Sequence, residues 1–279
     1  MLSVGFGLVS AMFWGAGDFW GGVVSRKIGA IRAVFYAEIV GLIILFAGVA
    51  ISGETFPTGN RFWVAFAAGA VGTFGLVILY HAMTIGLMSI ATPVSALLAA
   101  ALPVVFGIFL DGLPGILAMV GFLAAFAAVW FISQDSADKA SLQKISDLAL
   151  PLFSGLCFGL YFVLIHAASS ENVIWPMVAG RSGGLAVVLG FMLATRTGIR
   201  AEGKLPWGLI IANTSLDLLG NGFYILAGQN GRMDIAAVLG SMYPGATVLL
   251  AWYVLKEKLN GLQWVGIGCA LAAIVLLTI

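Results

Sequence analysis

The chain has 279 residues, 61% of them hydrophobic and 9% charged, with a net charge of +1 at pH 7 and a mean hydropathy of +1.09. Water-soluble domains carry about 25% charged residues, so this composition excludes a soluble catalytic or regulatory domain. The small net charge, with no block of basic residues to follow phosphates, excludes nucleic-acid binding.

A membrane-crossing helix needs about 20 mostly apolar residues. Ten stretches meet that length, at approximately 3–24, 31–51, 61–82, 87–110, 114–133, 148–168, 174–195, 206–228, 233–255 and 259–279. No basic segment precedes the first and no small-residue cleavage site closes it, so it reads as a membrane helix and not as a signal peptide. It carries Ser10, Trp14 and Asp18 at helical spacing. Helix 2 contains Glu38, helix 3 Thr73, Tyr80 and His81, and helix 4 Pro93, Ser95 and Pro103. Helix 5 is almost free of polar side chains, which suits support or lipid contact. The polar run QDSADKASLQKISD, residues 134–147, is the one linker-like segment. Beyond it, helix 6 brings Tyr161 and His166, helix 7 Arg181, and helix 8 Asn213, Asp217, Asn221 and Tyr224. Helix 9 has Ser241, Tyr243 and Pro244, and helix 10 is again apolar. Proline removes a backbone hydrogen bond, so helices 4 and 9 are expected to be kinked and to line the cavity or move.

The second five helices repeat the first five. A shift of 144 pairs Ser10 with Ser154, Gly15 with Gly159, Trp63 with Trp207 and Tyr80 with Tyr224. A shift of 145 pairs Gly86 with Gly231, Met88 with Met233 and Val120-Gly121 with Val265-Gly266. A unit with an odd number of spans reverses its orientation when copied. The expected fold is therefore an all-α integral membrane protein, ten transmembrane helices as two inverted five-helix repeats, 1–133 and 148–279, joined by 134–147. Inverted repeats are the architecture of secondary transporters. The loops on one side of the membrane hold ten Lys or Arg residues and those on the other two, Arg61 and Arg232. By the positive-inside rule both termini lie outside the cytoplasm.

The closing segment Gly231–Ile279 resembles that of an EamA-type transporter of the drug/metabolite transporter superfamily. It has a proline-containing helix, the acidic Glu257 at its end, and the helix start Gln263-Trp264-Val265-Gly266. Trp14-Gly15 is similar to the family's early Trp-Gly pair. The resemblance spans the chain as two units. It departs from the family at Asp18, at Phe158-Gly159 in place of the Trp-Gly pair, and at Asp111-Gly112 where the family has Gly-Glu. The resemblance implies a metabolite or amino-acid exporter of the cytoplasmic (inner) membrane, multi-pass. It also implies termini in the cytoplasm, contrary to the loop charges.

Ionisable groups at membrane depth cost at least ~2.5–3.5 kcal/mol each at a helix centre, so they default to function. Asn213, Asp217 and Asn221 fall at i, i+4 and i+8 with Tyr224 on the same face. This stripe is either a wall of a substrate cavity, with Asp217 taking an amine or a proton, or interhelical hydrogen bonding. Asp18 is either a binding group or a solvated residue near Arg26; Trp14 is either packing or an aromatic platform. Glu38 and Arg181 occupy matching positions at a shift of 143, and are expected either to pair across the pseudo-twofold axis or to hold the two charges of a zwitterion. The candidate substrate-binding set is Trp14, Asp18, Tyr80, Ser95, Tyr161, Arg181, Asn213, Asp217, Asn221, Tyr224 and Tyr243. The coupling or ion-pair candidates are Glu38, Arg181 and His81.

Neither histidine has carboxylate or cysteine neighbours at ligand spacing, and Cys157 and Cys269 read as packing residues, so no metal and no cofactor is expected. No phosphate-binding loop supports direct ATP drive, and no nucleophile–base set supports an intramembrane enzyme. The expected partners are a small-molecule substrate and membrane lipid, with the protein a monomer or homodimer. The leading reading is a secondary transporter exporting an amino acid or amine-bearing solute; drug or cation efflux and lipid-linked substrate flipping are the alternatives.

Overall fold

Within a bilayer every backbone N–H and C=O must find a partner inside the protein, which leaves helices as the choice for a chain of apolar segments. The computed structural model describes residues 2–82, 88–132, 149–201, 204–255 and 259–278, and all regular structure among them is helical. The first repeat comprises α1 (Leu2–Ile28), α2 (Ala30–Ser52), α3 (Arg61–Ala82), α4 (Met88–Asp111) and α5 (Ile116–Ile132). The second comprises α6 (Ala149–Ala168), α7 (Ile174–Ala194), α8 (Trp207–Gln229), α9 (Met233–Gly240), α10 (Tyr243–Leu255) and α11 (Gly261–Thr278). Among the described residues seven helices are long and apolar enough to cross a membrane, and Val94–Leu110 and Ile116–Ile132 are shorter apolar segments. The expected spans agree with these elements to within a few residues, with one exception.

That exception is helix 9, expected as one span and found as two, α9 and α10. Pro244 has no N–H for the carbonyl of Gly240, and its ring crowds that carbonyl; α9 ends at Gly240. The connection tightens to short-range bonds, Met242 N–H to Leu239 O at 3.1 Å and Gly245 N–H to Met242 O at 2.9 Å. The Ser241 hydroxyl donates to Val238 O at 2.8 Å. In α4, by contrast, Pro93 and Pro103 leave the helix continuous. At the end of α2 a glycine turns the chain: the helix stops at Gly53, whose φ is 68° and whose N–H returns to Val49 O at 3.1 Å.

The two repeats interlock. α1 packs on α8 and its counterpart α6 packs on α3. Matched serines stitch both contacts, Ser10 Oγ donating to Gly220 O at 2.8 Å and Ser154 Oγ to Gly75 O at 2.9 Å. α5 pairs with α11, where Gly121 lies against Leu277 and Gly266 against Ile132. These are the apolar helices expected to give support.

The helix packing also departs from the symmetry. α3 and α7 pack so closely that a Cβ on Gly69 would collide with Gly180 O, and one on Gly183 with Phe66 O. The equivalent pair, α8 and α2, packs more loosely. Between them opens an apolar cleft of about 450 Å³, lined among others by Leu45, Gly48, Met177, Leu218 and Gly222.

Two faces of the bundle matter below. The basic face holds the α1–α2, α7–α8 and α10–α11 connections, with Arg26, Lys27, Arg196 and Arg200. The terminal face holds the α2–α3, α4–α5, α6–α7 and α8–α9 connections.

Candidate functional site

Burying a lone charge is expensive, and a buried charge survives only when paired and hydrogen-bonded. Glu38 and Arg181 meet this condition together. Arg181 Nη1 donates to Glu38 Oε2 at 3.3 Å, an ion pair joining α2 to α7 across the pseudo-twofold axis. Thr73 Oγ1 on α3 donates to the other oxygen, Glu38 Oε1, at 3.3 Å. Arg181 Nη2 reaches the Asp217 Oδ2 atom on α8. Asn221, one turn on, donates from Nδ2 to the Asp217 carbonyl at 2.7 Å and to its carboxylate at 3.1 Å. The Tyr161 hydroxyl on α6 donates to Asn221 Oδ1. One continuous network thus draws on five helices.

The network obeys the repeat. Glu38 and Arg181 are matched positions, and so are Thr73 and Asp217, which differ by the same 144 positions as Trp63 and Trp207. The glycines that make room for it match as well, Gly41 and Gly184 differing by 143 like Glu38 and Arg181. A Cβ on Gly41 would lie 3.2 Å from Arg181 Nε, and one on Gly184 would lie 2.5 Å from Glu38 Oε1. Each glycine therefore accommodates the charged side chain of the opposite repeat.

Exposure is graded along the network. The side chains of Glu38, Arg181 and Asp217 are 6%, 14% and 37% accessible. Glu38 is sealed, and Asp217 is the most accessible of the three. With all three ionised, the cluster holds two carboxylates against one guanidinium, a surplus of one negative charge.

A strip of α1 shows where the bundle opens. Positions 4, 7, 11, 14, 18, 22 and 25 lie on one face of the helix. Val4, Gly7, Ala11 and Trp14 are buried, Asp18 is exposed, and Gly22 and Ser25 are half-buried. A Cβ on Gly22 would meet nothing within 4 Å. On the adjoining face, Gly17 and Gly21 lie against Asn213, whose Oδ1 would be 3.1 Å from a Cβ on Gly21. The protein is thus open beside Asp18 towards the basic face. Towards the terminal face it is closed: Gly7 packs on Leu239 and Gly231 on Ser3.

The other candidates separate into different surroundings. Trp14 and Tyr224 are buried in an aromatic cluster with Phe162, ring centroids 5.5 Å (Trp14–Phe162) and 5.7 Å (Trp14–Tyr224) apart. The Tyr224 hydroxyl donates to Phe162 O at 3.2 Å. This is packing at the closed end of the network. Ser95 is fully buried and donates to Pro151 O at 2.9 Å, tying α4 to α6. Tyr243 is half-buried at the start of α10, just past the helix break. His81 is exposed at the basic-face end of α3, and His166 packs against Gly228. Tyr80 falls in α3 with its side chain outside the described residues. No group of three or more His, Cys, Asp or Glu suited to a metal occurs among the described residues.

A second polar assembly, on the terminal face, was invisible to sequence reasoning. α7 starts at Val173–Ile174 with no capping side chain of its own. The Glu54 carboxylate, from the α2–α3 connection of the other repeat, accepts the backbone N–H groups of Val173 at 3.1 Å, Ile174 at 3.0 Å and Trp175 at 3.2 Å. The available signal was the pair of an uncapped helix start and an acid in a distant loop, and spacing alone cannot join residues about 120 positions apart.

Two inverted copies of a five-span unit enclosing a network of charged side chains form the architecture of a membrane transporter. The sequence profile of the EamA-like transporter family matches residues 1–134 and 145–279, and the chain belongs to that family. A solved crystal structure shares the fold, with a TM-score of 0.81 over 98% of this chain and 95% of its own at 12% identity. No curated protein matches the chain in sequence.

Proposed function

We propose that the chain is a secondary transporter of the cytoplasmic membrane that exports an amine-bearing metabolite, an amino acid above all, by alternating access in exchange for protons. One observation carries this reading. Asp217 is the most accessible member of a network that carries one surplus negative charge when its three charged groups are ionised, at membrane depth and beside an opening to the basic face. An ammonium group placed there neutralises the surplus, and a proton on a carboxylate does the same; the two therefore compete for one charge. Arg181 offers the complementary contact for a carboxylate, so an amino acid would exchange the Arg181–Asp217 pair for two pairs of its own.

A thermal-shift screen of the purified protein against amino acids, amines and nucleosides tests the substrate class, because a ligand of the folded state stabilises by mass action. Amines and amino acids should raise the unfolding temperature of the wild type and fail to do so in Asp217→Asn. Transport in proteoliposomes should collapse with the proton gradient; transport indifferent to the gradient, with unchanged pH dependence in Asp217→Asn, would remove the proton from the scheme.

The lateral cleft between α2 and α8 favours a second reading, flipping of a lipid-linked substrate. Such a substrate also needs a basic pocket for its headgroup. Arg181, one turn along α7 from Met177 of the cleft lining, is committed to two carboxylates, so this reading ranks second. An alkyl-chain-length series of amines with no effect on binding would count against it.

A further inference from the structure

Alternating access requires that the face now closed can open. The terminal face is held shut by polar contacts that join the two repeats. The Glu54 carboxylate caps α7 as described, and the Trp175 indole N–H donates to the Glu54 carbonyl at 3.0 Å. Beside it, Asn172 Nδ2 donates to Thr55 O at 2.9 Å, and Arg61 Nη1 lies 2.8 Å from Glu171 Oε2. Across the same face Arg232 bridges α9 to the α4–α5 connection, with Nη2 2.8 Å from Asp234 Oδ2 and 2.9 Å from Gly112 O. On the basic face the matching place is held by neutral acceptors: Arg32 Nε donates to Gly198 O at 2.9 Å and Tyr36 to Ile199 O at 3.0 Å.

We infer that Glu54 is the lock of the terminal-face gate, and that its carboxylate leaves the α7 N-terminus whenever the cavity opens on that side. Three features single it out. Glu54 is half-buried, whereas the Glu171 side chain is 70% exposed and its pair with Arg61 is weakened by solvent. Glu54 satisfies three amide donors that α7 cannot satisfy itself, at the positive end of the helix dipole. And α7 carries Arg181 two turns further on, so releasing the cap frees the helix that holds the charged network. The Arg232–Asp234 clamp is different in kind: the Asp234 side chain, in the first turn of α9, is fully buried against Gly107 of α4 and ties those two helices together.

The inference rests on the transporter reading, and its test separates the two. In a background with Cys157 and Cys269 replaced by alanine, a reporter cysteine is placed at Asn221 and labelled with a membrane-impermeant maleimide from either face of oriented vesicles. Glu54→Gln keeps an acceptor but removes the charge, and should raise terminal-side labelling about tenfold, the scale of one charge-assisted contact, without raising basic-side labelling. Unchanged terminal-side labelling, or an equal rise from both sides as in local unfolding, overturns the inference. In a second arm Thr55→Cys/Asn172→Cys is joined through disulfides by a short bis-methanethiosulfonate reagent. Transport of a hit from the ligand screen should stop and return on reduction, while undiminished transport in the cross-linked protein overturns the lock. If no solute is transported by any form, the functional reading fails, and the labelling arm still decides whether Glu54 holds the gate.

Discussion

Removing Arg181 and removing Asp217 should have opposite balances of stability and function. Arg181→Met leaves the Glu38 carboxylate, 6% accessible, with Thr73 as its remaining partner. Stranding one member of a buried pair costs about 3–5 kcal/mol. Asp217→Asn removes a charge that is 37% accessible, and Arg181 keeps Glu38; after solvent screening the loss is about 0–1 kcal/mol. Arg181→Met/Glu38→Gln takes away both buried charges and should recover most of the stability lost by Arg181→Met, without recovering transport. Equilibrium unfolding in mixed micelles ranks the three variants, and a proteoliposome uptake assay runs alongside. Asp217→Asn should be nearly as stable as wild type and inactive. If Asp217→Asn is as unstable as Arg181→Met, Asp217 is a structural anchor and the cavity assignment is wrong. If the double variant is no more stable than Arg181→Met, the buried carboxylate is not the source of the loss.

Tyr161→Phe removes one hydroxyl donor to Asn221, and should cost about 1 kcal/mol of stability while raising the KM for transport. Trp14→Ala empties the aromatic cluster and should lose about 3–5 kcal/mol, whereas Trp14→Phe keeps most of the packing and should transport normally; equal damage from both would give Trp14 a role beyond packing. Gly183→Ala puts a methyl group into the Phe66 carbonyl and should sharply lower the folded yield judged by size-exclusion chromatography, while Gly22→Ala, facing open space, should leave the yield unchanged.

The helices were legible because the bilayer imposes a length on each apolar run, and little else in the sequence competes with that signal. The pairing of Glu38 with Arg181 was legible through the repeat, which predicts proximity of matched positions near the axis. Neither route could show that Arg181 also holds Asp217, since helical periodicity gives the face of α8 but not the neighbour it meets. Nor could they show that Trp14 and Tyr224 are buried against each other: both lie on polar-looking stripes, and only the approach of Phe162 from α6 reveals the aromatic cluster. The break between α9 and α10 was half legible. Pro244 marked a kink, but the same residue type at Pro103 leaves α4 intact, so proline alone does not fix where a helix breaks.

The matched placement of Glu38 and Arg181 says something about how such a protein can arise. If two identical five-helix chains met around a true twofold axis, whatever residue stood there would face its own copy: acid against acid, or guanidinium against guanidinium. A plus–minus pair astride the axis is possible only once the two units are encoded separately and free to diverge. The charged centre of this molecule is therefore a property of the fused tandem, out of reach of any homodimer of its halves.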